Sequence, residues 1–147
     1  MFFQPLLLFL LPSIVTSLGE QDQFVFDVSF ICRHPEKYHY KIEFIEWDWW
    51  LFNGDDVITP KRDGDGLPGT FNMTLVGILY GDEITSEGYD VRMRLNHSCT
   101  KGQKDVDVYM YIKPSCEIGK GQCHYRISKD ITDLEGEFKN YANLVYY

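Results

Sequence analysis

The residues of this chain best equipped for chemistry are four cysteines, four histidines and a cluster of aspartates. Cys32, Cys99, Cys116 and Cys123, with His34, His39, His97 and His124, raise zinc first, because thiolate and imidazole are its usual ligands. A structural zinc site wants closely spaced ligand pairs; no C-x2-C occurs here and the histidines are scattered. An even cysteine count in an oxidising compartment instead makes two disulfides, for which three connectivities exist. That use removes the thiols as nucleophiles. The sequence also has no G-x-S-x-G elbow, no H-E-x-x-H and no glycine-rich phosphate loop. Asp48, Asp55, Asp56, Asp63 and Asp65 could gather round a Ca²⁺, but DGDGLPGT lacks the third ligand and the late glutamate of an EF-hand. They read as solvated turn residues, so no metal, no cofactor and no catalytic residue is expected.

The opening residues set the compartment. MFFQPLLLFLLPSIVTSLGEQ carries no charged side chain from Phe2 to Val15, is dominated by Leu, Phe and Ile, and ends in small residues. That is the apolar and cleavage region of a secretory signal peptide, and Val15 and Ser17 suit its small-residue positions, so cleavage after Ser17 is expected. No later apolar run approaches the ~20 residues of a membrane span. Residues 18–147 are therefore expected to form one secreted, extracellular domain with no membrane span. A net charge of −8 argues against nucleic acid and anionic membranes as partners. An apolar content of 44% argues against disorder.

The elements that must position these residues are strands. Phe24, Phe26, Val28, Phe30 and Cys32 alternate with Val25, Asp27, Ser29 and Ile31. Tyr38, Tyr40, Ile42 and Phe44 alternate with Lys37, His39, Lys41 and Glu43, until the parity breaks at Ile45 and marks a bulge or strand end. DDVITPKRDGDGLPGTF, rich in Gly, Pro and Asp, reads as loop with one short edge strand at Val57–Thr59. Phe71, Met73 and Leu75 then alternate with Thr70, Asn72 and Thr74, and Val91, Met93, Leu95, His97 and Cys99 with Arg92, Arg94, Asn96 and Ser98. Val106, Val108, Met110 and Ile112 oppose Asp107, Tyr109, Tyr111 and Lys113, and two further runs, HYRI and NLVYY, follow. No segment shows a helical period. Seven or so short strands spaced by turns imply an all-β antiparallel sandwich of one domain.

Cys32 and Cys99 both fall on apolar strand faces, so a bridge between them would cross or pin the core. Cys116 and Cys123 flank EIGKGQ, whose glycines suit a hairpin loop, and a short bridge across it follows. His97, on an inward face beside Cys99, reads as a packed and hydrogen-bonded core histidine. Two sequons, Asn72-Met-Thr74 and Asn96-His-Ser98, place their asparagines on polar faces, where N-glycosylation is sterically allowed.

Taken in order, FDVSFIC, KIEFIEWD, DDVI, DGDGLPGTFNMTLVG and VRMRLNHSC resemble the secreted transthyretin-like family that is expanded in nematodes. The resemblance implies a transthyretin-like sandwich of seven to eight strands, secreted, with no cofactor, and a Cys32–Cys99 pair. It implies extracellular binding or signalling rather than catalysis. A hydrolase of 5-hydroxyisourate shares that fold, but it uses a histidine near the first strand and a terminal Tyr-Arg-Gly-Ser; this chain ends LVYY and has no histidine before Cys32. The departure from the family is the loop EWDWWLFNGDD, which holds all three tryptophans. Trp47, Trp49, Trp50 and Phe52 are the expected contact residues for an extracellular protein or cell-surface partner, since Trp and Tyr are favoured at interfaces. Folding back to cap the end of the sandwich is the competing role for that loop. The second functional expectation is a carrier of a small hydrophobic ligand, lipid or hormone, held between the sheets or at a dimer seam.

Overall fold

The computed structural model describes residues 21–47, 54–81 and 87–146. Its first strand, β1 (Gln21–Cys32), is the spine of a four-stranded sheet: it lies between β5 (Gly69–Tyr80) and β10 (Gln122–Asp130), and β12 (Asn143–Tyr146) adds to the far side of β10. The facing sheet centres on β2 (Tyr38–Glu46) and β7 (Val91–His97), extended by β8 (Val106–Lys113) and β11 (Gly136–Tyr141). Its other edge is made by two short strands that both pair with β2, β3 (Asp56–Val57) and β4 (Arg62–Gly66). A two-stranded piece, β6 (Gly88–Tyr89) with β9 (Cys116–Glu117), completes the all-β sandwich.

Period-two patterning builds the core directly. The inward residues of β1, Phe24, Phe26, Val28 and Phe30, are buried, as are Ile42 and Phe44 of β2 and Tyr125 of β10. The Phe26 ring stacks on Phe44 of the opposite sheet at 3.7 Å between centroids, and on Tyr125 at 5.4 Å. Each such ring contributes roughly 1.5–3 kcal/mol by leaving water, with ring–ring geometry adding to it. Cys32–Cys99 ties the end of β1 to the chain just past β7 and so joins the two sheets. Closing that 67-residue separation is worth roughly 4 kcal/mol in the chain-entropy model.

Four local features differ from the sequence expectation, each for a physical reason. First, two pairings run parallel, β1 with β10 and β8 with β11, because alternation specifies which face is buried but not the direction of the neighbour. Second, Arg62–Gly66, expected as loop, is the strand β4. A Cβ on Gly66 would stand 2.2 Å from the Tyr38 ring, and one on Gly64 would stand 2.9 Å from the Tyr40 hydroxyl. These glycines leave room for tyrosines of β2 to cover the strand, so a composition that argues against strand here permits it. Third, Asp63 and Asp65, expected as solvated turn residues, stand on that strand beside His39, at 3.2 and 3.5 Å. Fourth, Cys116–Cys123 joins β9 to β10, strands of different sheets, rather than crossing a hairpin.

The loop between those cysteines is held from the other end of the chain. Asp22 at the start of β1 is fully buried. Its carboxylate accepts the Gly119 N–H at 2.8 Å, the Gly121 N–H at 2.7 Å and the Tyr89 hydroxyl at 2.7 Å. No helix among the described residues is long and apolar enough to cross a membrane. Residues 1–17, expected from sequence to be a signal peptide, lie outside the described residues.

Candidate functional site

Alternation in β2, β7, β8 and β11 sends one set of side chains into the core and the other to the outer face of the six-stranded sheet. Register then sorts the outer set into cross-strand rows. One row runs Glu43, Arg94, Tyr109, Glu137; the next runs Ile45, Arg92, Tyr111, Lys139. In the first, Arg94 is neutralised by Glu43 at 3.8 Å and by Asp55. In the second, Ile45 is buried although it faces outward, which accounts for the parity break seen in the sequence.

Trp47 continues that face. Its N–H donates to the Asp90 carbonyl at 3.0 Å, so the chain is still held against β7 one residue past β2. Its ring covers the Arg92 guanidinium at 3.6 Å, and the Tyr111 ring covers the same group at 4.2 Å. Two aromatic faces on one guanidinium contribute roughly 0.5–2 kcal/mol each, more as water is excluded. A hollow of about 160 Å³ opens at this stack, bordered also by Asp90 and Lys113, which pair at 3.0 Å. A second hollow of about 180 Å³ lies beside Arg94 and Tyr109. Tyr109 and Tyr141 stand exposed on the same face, at 41% and 81%.

Of the contact residues expected from sequence, Trp47 is half-buried in this stack, while Trp49, Trp50 and Phe52, with Asp48, lie outside the described residues. Arg92, Tyr109, Tyr111 and Tyr141 were not singled out by sequence. The signal was present in VRMRLNH and VDVYMYIK, where the side of each strand opposite the core holds arginine and tyrosine instead of small polar residues. The remaining aspartates do not converge: Asp55 meets Arg94, Asp56 lies across from Glu46 in the backbone register of β3 and β2, and Asp63 and Asp65 meet His39. Among the described residues no group of three or more His, Cys, Asp and Glu could hold a metal ion.

His97 is fully buried. Its Nε2–H donates to the Leu134 carbonyl at 3.0 Å and its Nδ1 accepts the Cys99 N–H at 3.1 Å, which fixes the neutral tautomer. Burial lowers its pKa, against a smaller opposing pull from the Leu134 hydrogen bond and nearby aspartates. The outer face of the smaller sheet carries another His, with a carboxylate and a hydroxyl. There the Thr74 hydroxyl donates to Asp27 at 2.6 Å, and His124 meets the other oxygen of Asp27 at 2.6 Å. The carboxylate lies between hydroxyl and imidazole, so the imidazole is not placed to activate the hydroxyl as a nucleophile. Thr74 above all, then His124, holds the Asp27 carboxyl below its usual range.

Asn72 is exposed on that smaller sheet, beside an open hollow of about 520 Å³. Asn96 is half-buried, and its side-chain nitrogen donates to Asp107 at 2.9 Å, while Ser98 of its sequon is buried and accepts the His39 N–H.

Fold and surface together define a disulfide-pinned all-β sandwich domain with an aromatic and arginine-bearing outer face. Comparison with protein-family models, with curated proteins and with solved structures found no match.

Proposed function

We propose that this chain is a secreted, non-enzymatic recognition protein of the transthyretin-like type, which contacts an extracellular protein or cell-surface partner through the outer face of its six-stranded sheet and the adjoining loop. The carrying observation is the Trp47–Arg92–Tyr111 stack flanked by exposed Tyr109 and Tyr141. Trp, Tyr and Arg are the residue types that dominate binding energy at protein interfaces, and here they share one rigid surface. Two disulfides are consistent with an oxidising, extracellular setting, as the leader is. The order of motifs from Phe26 to Cys99 supports the family reading. An N-glycan on Asn72 would cover the smaller sheet and leave the larger one as the contact surface.

The carrier reading receives less support. The aromatic layer between the sheets is filled by rings stacked at 3.7 and 5.4 Å, which is where a lipid or hormone would sit.

The test is binding of the labelled, purified protein to a panel of extracellular cell surfaces. The triple substitution Trp47→Ala, Tyr109→Ala, Tyr141→Ala should weaken binding by at least about tenfold while cooperative unfolding is kept, the melting temperature falling only by what the lost Trp47–Arg92 contact costs. Undiminished binding by that variant would overturn the placement of the site. Saturable quenching by lipids or hydrophobic hormones, without cell-surface binding, would favour the carrier.

A further inference from the structure

On the surface just assigned, charges are mostly used up locally. Arg94 has Asp55 and Glu43, Lys113 has Asp90, and Lys61 has Glu43. Arg92 differs. It faces two aromatic rings and has no hydrogen bond or ion pair among the described residues. Its Nε is shielded from solvent without a hydrogen-bond partner, while the residue as a whole is only half-buried.

A guanidinium is planar and carries its donors in a fixed fork, which matches a carboxylate with two parallel charge-assisted bonds. The rings of Trp47 and Tyr111 hold the fork in place before any ligand arrives. Little rotamer freedom is then left to lose on binding. The rings also lower the local dielectric, so a charge-assisted bond made at the fork is stronger than one made in open solvent. Register places Lys139 next to Tyr111 in the same row, adding a second positive charge nearby.

We propose that Arg92 is an oxyanion-binding site whose occupant is a single carboxylate, supplied by an Asp or Glu side chain of a protein partner. This deepens the recognition reading above and rests on it. An acidic side chain is favoured over a sulfated polysaccharide by charge. The chain carries −8 overall, which repels a polyanion at long range, and a polyanion needs several unpaired cations where this row offers two. One carboxylate needs one fork.

The probe is N-acetyl-aspartate, with N-acetyl-asparagine as its neutral counterpart at constant ionic strength, and a sulfated hexasaccharide as the competing chemistry. Side-chain NMR signals of Arg92 and the Trp47 indole report the site directly. Expected are saturable shifts with N-acetyl-aspartate and none with N-acetyl-asparagine. Arg92→Gln should abolish them; Arg92→Lys, which keeps the charge but not the fork, should weaken binding by about tenfold or more. A flat titration, or an equal response in Arg92→Gln, overturns the proposal. Tighter binding of the hexasaccharide than of N-acetyl-aspartate overturns the assignment to an acidic protein side chain. These readouts do not use a partner, so the Arg92 site and the recognition surface can each fail alone.

Discussion

Replacing Asp22 by Asn should loosen the corner where β1, β6 and the 116–123 loop meet. Asparagine keeps the shape of the buried carboxylate but only one acceptor oxygen. Tyr89 and Gly119 share Oδ2, while Gly121 faces Oδ1. With the new amide turned to Gly121, that backbone N–H is orphaned; turned the other way, Gly119 is orphaned while the Tyr89 hydroxyl can rotate to accept. Either orientation loses one bond to a charged group, worth roughly 1.5–3 kcal/mol, and strands a buried donor at about 1–3 kcal/mol. These terms overlap, so the expected loss is on the order of 2–4 kcal/mol. Tyr89→Phe removes the hydroxyl's bond to that carboxylate and should cost about 1.5–3 kcal/mol. The double variant should fall short of additivity because both changes act on one bond. Urea unfolding of the oxidised protein, with midpoint and m-value from intrinsic fluorescence, gives all three numbers. An Asp22→Asn variant within about 0.5 kcal/mol of the parent, at equal m, would refute the reasoning.

Gly77→Ala should destabilise by about 3 kcal/mol in the same assay, since its Cβ would stand 1.8 Å from the Ile58 carbonyl oxygen and backbone must move. His97 stays neutral in the fold while an unfolded histidine protonates near pH 6.5, so its contribution is complete above that pH and is lost as pH falls below it. His97→Asn should therefore flatten the loss of stability between about pH 6.5 and 5, and a fluorescence-monitored pH series checks this. Made in a secretory eukaryotic host, the protein should carry a glycan that Asn72→Gln removes and Asn96→Gln does not, as read by intact mass.

Much of the fold was legible because burial on one side of a strand forces alternation. Phe24 to Cys32, Phe71 to Leu75 and Val106 to Ile112 each announce a strand and its inward face. What alternation does not encode is the neighbour, so the parallel partnership of β1 with β10 was invisible. β4 was hidden for another reason: its glycines look like turn residues until the tyrosines that fill their space are placed. The candidate site was half legible. Trp47 drew attention by residue type alone, but Arg92 and Tyr111 matter because register brings them under and beside it, and register is a property of pairs of strands.

The placement of β1 between β5 and β10 has a consequence for how the chain is made. Gln23 and Gln122, 99 positions apart, are lateral neighbours. Synthesis runs from the N-terminus, so the first strand emerges early, yet one of its edges has no partner until most of the chain has followed. Topologies dominated by such distant pairings reach the native state slowly, in milliseconds to seconds. For that interval a strand carrying Phe24, Phe26 and Phe30 stands with an open edge, the arrangement most prone to pairing with a stranger. The demand this places on the cell is for chaperone occupancy of the nascent N-terminal strand.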